Sequence, residues 1–299
     1  MICIGYNLLA EANHGAYKKP LWRNGRRNGL KIRWEEHSRA SSTLAKGKLW
    51  IATDTNTLKN KIILIEDNCE SLGTVYKEKL LGNYGMASTF SFYVGHHMST
   101  IEGGAVCTDN DRLAAMLRIV RAHGWDRNLN ESQQLKIRNK FKVNSTFYSR
   151  YTFYNLGFNL RPTEIQGKIG NLQMGYLNEI IEKRNKNFIE FSKYIYKNKN
   201  KFYPIKYSHI DFLSNFAVPV ICKTRKIRDE LVERCKDIIE IRPIVGGDMT
   251  RQPFFLKHMK YTSLRNDSNA RLVHDQGLYF GNNPELTIQD KKIIKKIFS

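Results

Sequence analysis

The stretch Ser91-Phe92-Tyr93-Val94-Gly95-His96-His97-Met98-Ser99-Thr100-Ile101-Glu102-Gly103-Gly104 gathers residue types that can do chemistry. An imidazole titrates near neutrality, so His96 or His97 can take or give a proton at physiological pH. The stretch leaves an alternating run at 88–92 that reads as a strand and enters another at 105–108. Two histidines and an acidic di-glycine turn at a strand end form either a site or a His-rich surface connector. Functional side chains concentrate on such loops, yet most loops only connect. A second candidate lies upstream, where Ile62-Ile63-Leu64-Ile65 runs straight into Glu66-Asp67-Asn68. A continuous aliphatic run is expected of a strand buried on both faces of a parallel sheet. Carboxylates just past its carboxyl end stand where open α/β sheets bind ligands. Asp67 as a simple turn or helix cap is the alternative.

Pattern places the elements that would hold these residues. Asp109 is expected to cap a helix that runs to about His123, with Leu113, Met116, Leu117 and Val120 at helical spacing and Gly124 as its stop. Residues 126–150 are polar and read as a long loop. The longest helix opens at Pro162 or Thr163 and persists to about Tyr196, and Gly167, Gly170 and Gly175 within it point to close packing. Beyond residue 200 the grain changes to a strand at 216–221, a helix at 224–236, a strand at 238–242 and a closing helix at 288–298. This divides the chain into a segment 1–60, a larger domain over 61–200 and a small α+β domain over 201–299.

Composition sets the outer bounds. A chain of 299 residues with 41% hydrophobic and 26% charged content is ordinary for a globular protein with a substantial core. No apolar run reaches the length of about 18 residues that a membrane span needs, and the start lacks the form of a secretory signal. The five cysteines are scattered with no Cys-x-x-Cys pair, which points to a reducing, cytoplasmic compartment. The net charge of +21 has three readings: a nucleic-acid partner, an anionic small substrate such as a nucleotide-sugar, or compositional bias. Basic residues are dispersed and no nucleic-acid-binding motif accompanies them, so nucleic acid is the least favoured. Residues 1–60 crowd Lys18, Lys19, Arg23, Arg26, Arg27 and Lys31 together without a sustained apolar period.

Five segments in order, ILIEDNCESLG, STFSFY, EGGAV, RAHGW and GFNLRPTEIQ, together resemble the sugar aminotransferase family of fold-type-I pyridoxal-phosphate enzymes. The resemblance runs from about Lys61 to the C-terminus. It implies an α/β, PLP-dependent aminotransferase-like fold, with a large domain shortened at its N-terminus and a small C-terminal α+β domain. In the aminotransferases the residue five after the serine of the SFY strand is the lysine that holds the cofactor covalently. Here that position is His96, which is similar to the 3-dehydratase branch, as is the loop RPIVGGDMTRQPF. Imidazole cannot tether the cofactor, so the resemblance implies free pyridoxamine phosphate, with His96 as the base while the C3 hydroxyl of a nucleotide-linked 4-keto-6-deoxy sugar leaves. L-glutamate is the implied amino donor, and deoxysugar biosynthesis for lipopolysaccharide O-antigen the implied setting.

By the same resemblance, Asp67 pairs with the pyridinium nitrogen and Ser91 holds the cofactor phosphate. Glu70 stands beside the ring's 3-hydroxyl, where glutamine is usual. Asn159 reaches the phosphate from a neighbouring subunit, which implies a homodimer with shared sites. His97, His123 and Arg242 are candidates for substrate or glutamate contacts, with a local hydrogen bond or a solvated charge as the alternative for each. No metal is implied, and the dispersed cysteines do not suit an iron–sulfur cluster. Residues 1–60 hold no glycine/serine loop of the kind with which the family cradles phosphate at a helix N-terminus. Three readings therefore stand: an active 3-dehydratase, a truncated and impaired derivative, or a non-catalytic basic binding protein on the same scaffold.

Overall fold

The computed structural model describes residues 63–259 and 268–299 and the backbone of residues 2–3. The expected basic segment 1–60 otherwise lies outside the described residues. In chain order the strands are β1 (Ile2–Cys3), β2 (Ile65–Asp67), β3 (Val75–Tyr76), β4 (Lys79–Leu80), β5 (Ala87–Ser91), β6 (Gly104–Thr108), β7 (Phe202–Tyr203), β8 (Ala217–Cys222), β9 (Ile241–Pro243) and β10 (Gly277–Gly281). The helices are α1 (Asp111–Val120), α2 (Glu131–Lys140), α3 (Glu164–Met174), α4 (Leu177–Ile195), α5 (Arg225–Cys235), α6 (Pro253–His258), α7 (Asn269–Gln276) and α8 (Ile288–Phe298). The chain divides into two units. Among the described residues the first takes in 2–3, 63–70 and 82–176, and the second takes in 71–81, 177–259 and 268–299.

The first unit is built on a sheet of order β1-β6-β5-β2, with β2 parallel to β5 and the other pairs antiparallel. Its second strand differs from expectation. Among the described residues the strand begins at Ile65, Ile65 is 59% exposed, and the buried position is Glu66. Among the described residues β2 has β5 as its one sheet neighbour, and Ile65 is not buried as a doubly covered strand would require. Ala87, Ser88 and Phe90 of β5 are buried. Gly104 lets β6 close on it, because a Cβ there would meet the carbonyl of Phe90 at 2.7 Å. Cys107 in β6 is buried and disulfide-bonded, where the scattered cysteines had pointed to a reducing compartment, while Cys69, Cys222 and Cys235 are free.

The cap of α1 is Asn110, not Asp109: its Oδ1 accepts from the backbone N–H of Leu113 at 3.0 Å. Gly124 turns the chain at φ +86°, tight against the backbone carbonyl of Asn155, so only glycine suits the position. The expected loop at 126–150 contains α2. That helix has no buried residue and no apolar face to betray it. It forms because Asn130 and Gln133 make a reciprocal capping box and because Arg138 donates to Asp126, fully buried, at 2.7 Å. The single long helix expected from Thr163 is two helices. Thr163 caps α3 with a capping box to Gln166, α3 ends at Met174, and the chain restarts as α4 after Gly175 and Tyr176.

In the second unit the antiparallel sheet β7-β8-β10-β9 carries the core. Phe188, Phe191 and Ile195 of α4 pack with Phe202, Val218, Val220, Phe280 and Phe298, all nearly inaccessible to solvent. Phe191 meets Phe280 edge-on at 5.4 Å and Phe280 meets Phe298 at 4.8 Å. A smaller cluster, Ile221, Ile244 and Val273, includes a residue of α7, a helix the sequence pattern did not reveal. Arg184 of α4 is 5% exposed and donates to the carbonyls of Phe216 at 3.0 Å and Asn282 at 2.8 Å. Burial pushes its guanidinium pKa down to about 10.

Candidate active site

The parallel register of β2 and β5 sets Asp67 opposite Thr89. Their side chains therefore share a sheet face. Thr89 Oγ1 donates to Asp67 Oδ1 at 3.0 Å, and the backbone N–H of Cys69 donates to the same oxygen at 3.2 Å. Partial burial works to raise the Asp67 pKa. The hydrogen bonds from Cys69 and Thr89 and the nearby imidazole of His96 outweigh it and hold the carboxyl below its ordinary value. Glu70 moves the other way, raised first by burial and then by the Asp67 charge. Burial, followed by the hydrogen bond with Asp67, pushes the Cys69 thiol up to about 11. Two carboxyl groups three residues apart are thus driven in opposite directions, an arrangement that separates acid and base duties.

Glu66 anchors this strand end. Its carboxylate accepts from the backbone N–H groups of Gly82 at 2.7 Å, Tyr84 at 2.6 Å and Gly85 at 2.5 Å, pinning the loop that leads into β5. Glu66→Gln turns one of those acceptor oxygens into a donor facing a donor. Hydrogen bonds to charged groups weigh about 1.5–3 kcal/mol, so the variant is expected to lose about 2 kcal/mol. Urea denaturation measures it, and an unchanged midpoint would remove the anchoring role.

Beyond β5 the turn is tightly held. Ser91 Oγ accepts from the backbone N–H of Tyr93 at 3.2 Å, and the N–H of His96 donates to the carbonyl of Tyr93 at 3.0 Å. The His96 ring stands edge-on to Tyr93 at 5.8 Å. His96 is half-buried and His97 only 3% exposed, so of the two imidazoles His96 is the one with surface open to a ligand. The far side of the turn closes through Thr100, fully buried, whose hydroxyl donates to the carbonyl of Glu102 at 2.8 Å. That carbonyl also accepts from Gln166 Nε2 at 2.6 Å, which ties the di-glycine turn to the start of α3.

His123 and Asn159, 36 positions apart in sequence, lie on a second, zipped stretch. Ala122 bridges to Asn159, the N–H of His123 donates to the carbonyl of Phe158 at 2.7 Å, and that of Leu160 to Arg121 at 2.8 Å. His123 adopts φ +58° and lays its ring against Trp125 at 4.7 Å. Arg127 stacks on the other partners of this group, 3.9 Å from Trp125 and 4.5 Å from Tyr151. Asn159 is exposed, and its Oδ1 accepts from Arg161 at 3.2 Å. Arg242 belongs to the second unit, on β9, where it is exposed and bonded to Glu240 from both Nε (2.8 Å) and Nη2 (2.5 Å). The sequence reading thus named Asp67, Glu70 and His96, which stand within one electrostatic cluster, with Ser91 two residues further along β5. It missed Thr89 and Gln166, and it placed Glu66 only among the carboxylates past the strand, not as the anchor of the loop. Only the pairing register of β2 with β5 could have exposed Thr89.

No helix of the described residues is long and apolar enough to cross a membrane, and none of their His, Cys, Asp or Glu side chains form a group able to hold a metal ion. The profile of the DegT/DnrJ/EryC1/StrS aminotransferase family matches residues 55–298. GDP-4-keto-6-deoxy-D-mannose 3-dehydratase of Escherichia coli O55:H7 is 36% identical over 224 residues, which is 74% of this chain and 56% of that protein. The structure of the E. coli enzyme with bound hydrated PLP superposes with a TM-score of 0.70 at 32% identity, covering 81% of this chain and 62% of that one. A structure of GDP-4-keto-6-deoxymannose-3-dehydratase with a trapped PLP-glutamate geminal diamine gives 0.68 at 32% identity, covering 80% and 61%. This chain therefore spans a little more than half the length of these relatives, and the match confirms the α/β, aminotransferase-like fold.

Proposed function

The chain belongs to the DegT/DnrJ/EryC1/StrS aminotransferase family, and on that premise we propose that it catalyses the pyridoxamine-phosphate-dependent C3 dehydration of a GDP-linked 4-keto-6-deoxy sugar, with L-glutamate as amino donor. The observation that carries the reading is His96, beside an ionised Asp67, at the position where the aminotransferase branch places its cofactor-holding lysine. Relatives named for this reaction, and their structures with PLP and with a PLP-glutamate adduct, support it.

The residues fit the cofactor. Asp67 commits Oδ1 to Thr89 and Cys69, so Oδ2 is the oxygen left to accept a pyridinium N–H. Ser91 Oγ accepts from Tyr93 and keeps its own proton to donate to a phosphate. Glu70, with its raised pKa, suits a shared proton with a ring hydroxyl. When bound, the cofactor supplies the electron sink. The protein's part is protonic. Asp67 keeps the ring nitrogen charged, and His96, which cannot form a Schiff base, takes the proton whose removal accompanies loss of the sugar's C3 hydroxyl. Asn159 and its exposed apolar neighbours Leu156, Phe158 and Leu160 support the homodimer with shared sites, since large apolar side chains gathered at the surface mark an interaction surface. His97, His123 and Arg242 remain the proposed contacts to sugar nucleotide or glutamate.

An absorbance spectrum of the purified protein with pyridoxal phosphate, before and after glutamate, tests the proposal. The aldehyde band is expected to bleach to that of the amine form, after which GDP-4-keto-6-deoxy-mannose is consumed. No cofactor binding and no conversion would overturn it in favour of a non-catalytic protein on the same scaffold.

A further inference from the structure

We infer that Thr89 is a positioning residue for Asp67, its hydroxyl fixing the carboxylate so that one oxygen is committed and the other is presented. The inference deepens the proposed pairing of Asp67 with the cofactor ring and rests on it. Asp67 ends β2 and is exposed, and the last torsion of an aspartate is broad and roughly two-fold. Left alone, the carboxylate would sample many orientations. Two donors converge on Oδ1: the N–H of Cys69 at 3.2 Å and the hydroxyl of Thr89 at 3.0 Å.

The thiol of Cys69 packs beside the same pair. Cys69 Sγ lies 3.7 Å from Thr89 Oγ1, and the Thr89 hydroxyl proton goes to Asp67 Oδ1. Burial first, then the hydrogen bond with Asp67, pushes that thiol up to about 11, so it stays protonated beside the pair. The β2–β5 register places Thr89 opposite Asp67 across the sheet. A side chain held by a rigid strand pair is a better support than one on the mobile side of a turn. Among the described residues the titratable groups acting on Asp67 are Cys69, Glu70 and His96.

Thr89→Val keeps the shape and removes the donor, whereas Thr89→Ser keeps the donor. Carbon-13 NMR of the aspartate carboxyls in the cofactor-free protein, with Asp67→Asn assigning the signal, is the first readout. Asp67 is expected to titrate at higher pH in the valine variant and as in the native protein in the serine variant. The second readout is the dissociation constant for pyridoxal phosphate, expected to rise about tenfold with valine, the weight of one hydrogen bond to a charged group, and to be restored by serine. A valine variant whose Asp67 titrates unchanged would overturn the assignment, as would a serine variant that behaves like the valine one. If Asp67→Asn itself binds the cofactor as tightly as the native protein, the pairing of Asp67 with the ring falls, and the titration still decides the role of Thr89.

Discussion

With His96 replaced by asparagine, consumption of the sugar nucleotide falls by about 10²–10⁴-fold, the range that a positioned general base contributes, while pyridoxal phosphate still binds. The expectation follows from geometry. His96 hangs on a turn fixed by its own N–H to Tyr93 at 3.0 Å, by Phe92 to Gly103 at 2.9 Å and by the buried Thr100. An amide leaves those backbone bonds in place and removes the basic nitrogen together with the ring's edge contact to Tyr93. His96→Lys separates the base from the tether. Dehydration is again lost, but now the amine can bond the aldehyde, so borohydride reduction fixes the cofactor to the chain and its absorbance survives denaturation. Steady-state assays with bound-cofactor spectra check both variants, and full turnover in either would show that another group removes the proton.

Asp67→Ala is expected to abolish the bleaching of the cofactor band by glutamate and to slow the half-reaction by about 10²–10³-fold, comparable to removing a preorganised partner of developing charge. The sign of its pH dependence is set by the direction of the shift. The Asp67 carboxyl is held below the usual carboxylate value by hydrogen bonds from Cys69 and Thr89. Its charge, and the stability that charge brings, is therefore complete above the ordinary carboxylate pKa and is lost as pH falls through the lowered value. The native half-reaction should accordingly keep its Asp67 dependence across the neutral and mildly acidic range. Stopped-flow spectra of the two proteins over that range measure it. Equal rates would mean the ring nitrogen has no charged partner here.

Local chemistry was legible in the sequence and register was not. Thr163, Thr224 and Thr287 cap α3, α5 and α8 where the pattern put those helix starts, because a cap is read from residues within a single turn. The strand pair around Ser88 and Cys107 was legible for the same reason, through its alternation. Helix α2 was not, since its support is a capping box and the ion pair of Arg138 with the buried Asp126 rather than an apolar stripe. The overextended helix reflects periodicity that continues across Gly175 although the hydrogen bonds do not. In the site, Asp67 and His96 announced themselves by residue type and place. Thr89 did not, because an ordinary threonine becomes informative only when the neighbouring strand is laid beside it. The zipped pairing of Ala122 with Asn159 joins segments with no shared pattern at all.

Arg184 gives the second unit its manner of coming apart. One buried cation holds the carbonyl of Phe216, just before β8, and that of Asn282, just after β10, from the middle of α4. Asn282 returns the bond to Arg184's own carbonyl at 2.9 Å. Peeling any of these segments away would strand a guanidinium, or two carbonyls, in a dry interior, and the penalty for a single broken link is several kcal/mol. The helix and the two strands must therefore open together. A protein stitched in this way has no inexpensive local excursions through its centre, and its amides there exchange with water only when the whole cooperative unit unfolds.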